Sequence, residues 1–231
     1  GPSDDEIEEW GDVTRAMRQE GRVRVCASLG VLTSRQALRL AEVGVQRYNH
    51  NLQTSRRHFA NIVTTHTYDE RLDTLRSLRS AGIELCCGAL FGTGETWEDR
   101  LDLAFQLREI NPEVVPINFL IPVAGTPLEN NRALDPLECL RIIAVYRFIL
   151  PSQHLNIAGG REVHLRDLQS WMFLAGADSF MMGNYLTTCG RSVKEDLRMI
   201  RDLGLELEPY LRTAKGSDNP NRPDAGLKHA R

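Results

Sequence analysis

Thiols, amides and a guanidinium recur on the apolar, strand-like segments of this 231-residue chain. Cys26 lies in Arg24-Val25-Cys26-Ala27, Asn49 and Asn51 in Tyr48-Asn49-His50-Asn51-Leu52, and Cys86 in Leu85-Cys86-Cys87-Gly88. Asn118 lies in Pro116-Ile117-Asn118-Phe119, and Arg161 ends Ala158-Gly159-Gly160-Arg161. Alternate residues of a strand share a face. Asn49, Asn51 and Gln53 therefore face one way, as do Cys86, Gly88 and Leu90. Burying an unpaired amide costs roughly 1–3 kcal/mol, and an unpaired guanidinium more. Such groups either pair with one another or serve a ligand. For the whole set, a bound cofactor and polar substrate is the less costly explanation. Any single cysteine can still be simple core, where thiols are common. Thiolates on two strands suit a soft metal such as an iron–sulfur cluster, zinc or Cu(I). A permanent cation is an unusual neighbour for a metal, tolerable beside the negative charge of a sulfide-rich cluster.

Gly92-Thr93-Gly94-Glu95-Thr96 follows one of these strands and opens a helix. A turn of this kind can aim backbone N–H groups at a phosphate, but the acidic Glu95 argues against that. Glycines also let a flat nucleoside ring lie against the backbone, which fits better. Thr96 serves as a helix N-cap under either reading.

Composition narrows the field. Hydrophobic residues make up 42% and charged residues 26%, ordinary for a globular protein, and the net charge of −3 offers no attraction to nucleic acid or anionic membrane. No apolar run approaches the roughly 20 residues that span a bilayer, so a cytoplasmic enzyme is expected. The five cysteines, Cys26, Cys86, Cys87, Cys139 and Cys189, form neither a disulfide framework nor paired zinc motifs.

Alternating helices and short strands must position these groups. Thr33 with Gln36, Thr67 with Glu70 and Ser192 with Glu195 form helix-opening pairs, and Asp135-Pro136 opens another helix. Helices are also expected over 6–20, 97–110 and 164–175. Ala41-Glu42-Val43-Gly44, Ser80-Ala81-Gly82 and Leu174-Ala175-Gly176 form a loose repeat, each closing a helix before a strand. Strands are expected at 23–29, 45–52, 83–91, 114–122, 155–160 and 179–183. This alternation predicts an α/β fold with parallel strands. A doubly wound sheet competes with a (β/α)8 TIM-type barrel; polar residues on strand after strand favour the barrel. Six strands of eight make it incomplete, so residues 1–212 are expected to be a partial barrel domain truncated at its N-terminus. Residues 213–231, poor in apolar side chains, are expected to be a disordered tail.

Seven segments, in order, resemble those of the biotin synthase family of radical S-adenosylmethionine enzymes. They are Tyr48-Asn49-His50-Asn51-Leu52, Ile62-Val63-Thr64-Thr65, Tyr68-x-x-Arg71-Leu72-x-Thr74-Leu75, Gly92-x-Gly94-Glu95-Thr96, Pro116-Ile117-Asn118, Gly125-Thr126-Pro127-Leu128 and Ala158-Gly159-Gly160-Arg161-Glu162. The resemblance spans roughly 23–205. It implies a sulfurtransferase that converts dethiobiotin to biotin. In that family a 4Fe–4S cluster cleaves S-adenosylmethionine to a radical that abstracts substrate hydrogens, and a 2Fe–2S cluster donates the sulfur. Cys26, Cys86 and Arg161 then resemble three of the four ligands of the 2Fe–2S cluster. Asn51 and Asn118, with Asn49 nearby, resemble contacts to the ureido ring of dethiobiotin, since an amide offers both donor and acceptor. Gly88, Leu90, Gly92 and Glu95 resemble the motif beside the adenine of S-adenosylmethionine. Gln53 stands where a ribose-contacting carboxylate is common. The resemblance further implies an electron donor of the flavodoxin or ferredoxin type and a homodimer.

Two departures bear on activity. The Cys-x-x-x-Cys-x-x-Cys loop for the 4Fe–4S cluster and the fourth 2Fe–2S ligand are missing from this sequence, so the chain alone is expected to be inactive. The alternatives are another radical S-adenosylmethionine barrel, acting in hydrogenase-cofactor or pyrrolysine synthesis, and a non-catalytic barrel remnant serving as a dimerisation scaffold.

Overall fold

A computed structural model of the chain describes residues 1–19, 24–185 and 189–207. It divides into two compact units, Gly1–Pro116 and Ile117–Arg231. The first contains α1 (Asp4–Gln19), β1 (Cys26–Ala27), α2 (Ser34–Glu42), β2 (Arg47–Asn49), α3 (Arg56–Phe59), α4 (Tyr68–Ser80), β3 (Glu84–Cys86), β4 (Ala89–Phe91) and α5 (Trp97–Ile110). The strand β5 (Val114–Phe119) gives its first residues to this unit and its last to the second. The second unit continues with α6 (Pro136–Ile149), β6 (His154–Ile157), α7 (Arg161–Leu165), a 3₁₀ turn (Arg166–Leu168), α8 (Trp171–Leu174), β7 (Ser179–Phe180) and α9 (Val193–Asp202).

Local hydrogen bonding sets the helix starts. Thr33, Thr67 and Thr96 each accept the backbone N–H three residues on, and Gln36, Glu70 and Asp99 return the bond to the cap's own N–H. Asp135, followed by Pro136 at the first helical position, caps α6, and Ser192 caps α9. Each such cap contributes on the order of 1 kcal/mol. The helices then bury one stripe each: Leu72, Leu75 and Leu78 on α4, and Leu103, Ala104 and Leu107 on α5.

The strands pair in parallel, as expected when each is followed by a helix. In the first unit β1 pairs β2, β2 pairs β3, and β3 pairs β5 at Val114. In the second, β5 and β6 are joined by Ala158 N–H to Ile117 O (2.9 Å) and Phe119 N–H to Gly159 O (2.9 Å), and β6 pairs β7 in parallel.

Two expectations change. Seven strands are described rather than six, because 83–91 is two strands, β3 and β4. The Gly88 N–H between them turns to the Asn51 side chain, interrupting the ladder. The single helix expected over 164–175 is three short pieces. Arg166 adopts a left-handed backbone (φ 50°), and the His164 ring sits between the carbonyls of Leu120 (2.7 Å) and Leu134 (3.2 Å). Residues 213–231 lie outside the described residues. Among the described residues no helix is long and apolar enough to cross a membrane.

One buried carboxylate ties helix starts together. Ser55, the cap of α3, donates to Asp99 Oδ1 (2.6 Å), and Arg57 Nε adds a bond of 3.0 Å. Burial acts to raise the Asp99 carboxyl, but hydrogen bonds from Ser55, Thr96 and Arg57 outweigh it and hold the group well below the usual carboxylate range. A depressed folded-state pKa stabilises the fold above the unfolded value of about 4, and that contribution is lost as pH falls towards the folded value. Urea midpoints measured from pH 6 down to pH 2 will therefore fall for the parent chain. The Asp99→Asn variant will start lower and follow a flatter curve.

Candidate functional site

The first unit gathers the thiols on one sheet face. Cys26 lies beside Arg47 in register and Arg47 beside Glu84; two residues on, Asn49 lies beside Cys86. Arg47 donates to Glu84 through Nη2 (2.7 Å) and Nε (3.1 Å), and Arg24 reaches the same carboxylate at 2.7 Å. Asn49 Nδ2 donates to Cys86 Sγ at 3.4 Å. Cys86 is buried, and burial, helped by the neighbouring Cys26, pushes its thiol up to about 11. Cys87 points to the opposite face and is buried, with its thiol pushed up by burial to about 12. Cys26 departs from expectation: it is exposed, because β1 is the edge strand of this unit and has a neighbour on one side only.

Beyond β2 the chain sets an amide in a defined orientation. Gly88 N–H donates to Asn51 at 2.9 Å. Since that partner is a donor, the atom facing it is Oδ1, and the Asn51 NH₂ group points the other way. Glycine is required at 88: a Cβ there would lie 1.9 Å from the Pro116 carbonyl oxygen. Strand alternation does not persist to Gln53, which has φ 72° and forms an isolated bridge to Ala89. Its backbone accepts from Leu90 N–H (2.8 Å) and donates to Gly88 O (3.1 Å).

Glu95 faces inward, into the turn it follows. Its carboxylate accepts the Gly92 N–H (3.0 and 3.1 Å), the Thr93 N–H (2.8 Å), the Thr93 hydroxyl (3.0 Å) and Arg100 Nε (2.8 Å). The side chain is 2% exposed. Glu95 therefore acts on any ligand through the shape of Gly92-Thr93-Gly94. His58 steadies the same turn, its ring Nε2 lying 3.3 Å from Thr93 O.

Sequence reasoning missed Arg71. This side chain, on α4, donates through Nη1 to the Asn51 carbonyl oxygen, and its guanidinium lies 5.6 Å from the centre of the Phe59 ring. Its Nε is buried without a partner, and among the described residues no carboxylate pairs with it. Burial lowers its pKa. The signal was present in the Tyr68-x-x-Arg71 segment, but only the fold shows that no acid accompanies it.

In the second unit Asn118 repeats the Asn51 arrangement. Gly159 N–H donates to Asn118 Oδ1 at 2.9 Å. The next residue, Gly160, has φ 83°, and a Cβ there would lie 2.1 Å from Phe119 O, so only glycine fits. Arg161 does not fit the expected role. It follows β6 by four residues, begins α7 and is fully buried. Asp196 accepts from both of its terminal nitrogens, at 3.1 Å from Nη1 and 2.8 Å from Nη2. Gln169 takes Nη1 as well; Met181 O (3.2 Å) and Glu162 (3.1 Å) take Nη2. Burial works against the charge, but the Asp196 hydrogen bond and the two carboxylates raise its pKa overall. A metal-bound guanidine must give up a proton, and this surrounding keeps all of them in place. The polar side chains that β6 itself carries are His154, 3.4 Å from Asp178, and Asn156, beside Ser179 in register.

For an iron–sulfur cluster the donors thus fit in part: the Cys26 and Cys86 thiols suit soft iron, whereas Arg161 does not. Among the described residues no group of three or more His, Cys, Asp or Glu side chains could hold a metal ion.

Comparison with known proteins places this geometry. Residues 2–107 match the model of the Radical SAM superfamily, and residues 116–206 that of the Biotin and Thiamin Synthesis associated domain. The chain is 52% identical over 195 residues to a biotin synthase of Carboxydothermus hydrogenoformans, covering 84% of this chain and 60% of that protein. It is 53% identical over 207 residues to a biotin synthase of Heliobacterium modesticaldum, covering 90% and 64%. The chain therefore spans about three fifths of the length of these relatives. Among solved structures, methylornithine synthase superposes with a TM-score of 0.72 at 21% identity, covering 85% of this chain and 62% of the other. The FeFe-hydrogenase maturase HydG from Carboxydothermus hydrogenoformans gives 0.71 at 19% identity, covering 87% and 52%. At these identities the likeness is one of fold: the α/β, TIM-type fold expected, here incomplete.

Proposed function

Because the chain belongs to the biotin synthase family of the radical S-adenosylmethionine superfamily, we propose that it carries the substrate-binding and much of the cofactor-binding surface of an enzyme converting dethiobiotin to biotin. The observation that carries this reading is the orientation of Asn118. Its amide oxygen is pinned by the Gly159 N–H, which fixes where the NH₂ group points, and Asn51 repeats the arrangement with Gly88 within the first unit. A cyclic urea presents one carbonyl acceptor and two N–H donors. An oriented amide NH₂ meets the carbonyl without first reorganising. Asn49 is partly committed to Cys86, to which its Nδ2 donates.

The Gly92-Thr93-Gly94 turn offers close backbone approach to a nucleoside, with Leu90 on β4, Gly88 just before it and Gln53 bridged to Ala89. Arg71 offers its charge to the carboxylate of S-adenosylmethionine. Cys26 and Cys86 would hold iron of a 2Fe–2S cluster, which supplies the sulfur when bound; the buried Cys86 keeps its proton until a metal displaces it. A 4Fe–4S cluster, an electron donor of the flavodoxin or ferredoxin type, a homodimer and a cytoplasmic setting complete the reading.

The test is Asn118→Asp. The carboxylate can still accept from Gly159, but it cannot donate to the urea carbonyl and adds a repelling charge. Dethiobiotin affinity, measured by calorimetric titration, should fall by about 10- to 100-fold, the usual loss when a buried polar group goes unmatched. An unchanged affinity in a variant with a native circular-dichroism spectrum would sink the proposal, as would failure of the parent protein to bind dethiobiotin.

A further inference from the structure

The bonding of Arg161 gives it a purpose other than metal ligation. Its four terminal N–H groups bond Asp196 twice, Gln169 and the Met181 carbonyl; Glu162 lies 3.1 Å from Nη2 as a second ion pair, and the Phe180 ring covers the guanidinium at 5.0 Å. Only Nε–H lacks a partner; while it keeps its proton it can face an anion but cannot bond a metal. Asp196, on α9, is itself 0% exposed. Taking two charges this deep is costly unless their geometry is good and further hydrogen bonds satisfy both, as they do here.

What the pair holds lies immediately upstream. Arg161 is the first residue of α7, after the turn formed by Ala158, Gly159 and Gly160. The Tyr185 hydroxyl donates to Ala158 O at 3.0 Å and also to Glu162, so the turn is gripped on both sides. Gly160 lies against Phe119 O, leaving no room for the turn to shift. Gly159 N–H then points at Asn118 Oδ1. We propose that Arg161 is a positioning residue for substrate recognition rather than a metal ligand, clamped by Asp196 so that the Gly159 N–H orients the Asn118 amide. The inference rests on the reading of Asn118 as a dethiobiotin contact.

The experiment compares the parent protein with Arg161→Lys, Arg161→Met and the double variant Arg161→Met/Asp196→Leu. The double variant removes the carboxylate that the single change would strand in the core, and so keeps the test usable if Arg161→Met fails to fold. Each protein is reconstituted anaerobically with iron and sulfide, its visible absorption and iron content are recorded, and dethiobiotin is titrated. The double variant should match the parent in spectrum and iron content. Its dethiobiotin affinity should be weaker by about tenfold or more, the scale on which misplacement of a recognition group is felt, with Arg161→Lys intermediate. A changed spectrum or lost iron in a folded variant would show ligation and overturn the proposal. So would unaltered dethiobiotin affinity in the double variant when Asn118→Ala has lost it. If the parent binds no dethiobiotin at all, the functional reading fails instead, and the iron content still decides whether Arg161 is a ligand.

Discussion

Arg71→Met will weaken binding of S-adenosylmethionine by at least about 30-fold, the scale of a buried charge pair that loses one partner. It will leave the ligand-free chain no less stable. The two halves of this result come from one fact. Arg71 donates to the Asn51 carbonyl oxygen, its Nε is buried and unbonded, and among the described residues no carboxylate neutralises it. Without a ligand, the guanidinium is a half-buried cation whose Nε has lost water without gaining a partner, so replacing it by an apolar chain of similar length removes a cost. With the ligand, the same group meets an anion away from water, where the attraction is strong. Calorimetric titration checks the first half and thermal unfolding the second. Unchanged affinity, or a large drop in melting temperature, would show that Arg71 serves the fold and not a ligand.

Glu95→Ala will destabilise the first unit by about 3–5 kcal/mol, the cost of removing one partner from a buried ion pair. It will also abolish measurable S-adenosylmethionine binding. The carboxylate accepts from two backbone N–H groups, one hydroxyl and Arg100 while almost wholly buried. Alanine removes every one of those acceptors and lets the Gly92-Thr93-Gly94 turn relax. Glu95→Gln preserves the shape but sets an NH₂ group against donors, so it should cost about 1–3 kcal/mol. Urea unfolding followed by tryptophan fluorescence measures both, since Trp97 packs against Arg100 at 4.8 Å. If the alanine variant were as stable as the glutamine variant, the carboxylate would not be the anchor of the turn.

These two residues mark where sequence reasoning stops. Gly92-x-Gly94-Glu95 was legible as a tight strand-to-helix turn because glycine and a capping threonine carry local meaning. The direction of the Glu95 side chain was not, since Arg100 and the turn amides claim it only once α5 has formed. The caps at Thr33, Thr67, Asp135 and Ser192 were legible for the same local reason: each bond closes over three residues. The helix expected over 164–175 was not, because the carbonyls that hold His164 come from Leu120 and Leu134, more than 29 residues away. Strand alternation could not show that Asn49 lies beside Cys86, because that register joins two strands far apart in sequence. It failed at Gln53, where a left-handed backbone breaks the period of two.

The amino-acid order alone determined the alternation of helices and parallel strands, the helix starts, and the family, because each depends on short-range periodicity or on contiguous motifs. Only the tertiary structure decided that Arg161 answers to Asp196, that Cys26 lies at an exposed edge and that Arg71 is a cation in search of an anion. Those outcomes depend on which distant groups a buried charge meets first, and in a medium of low dielectric the nearest partner governs.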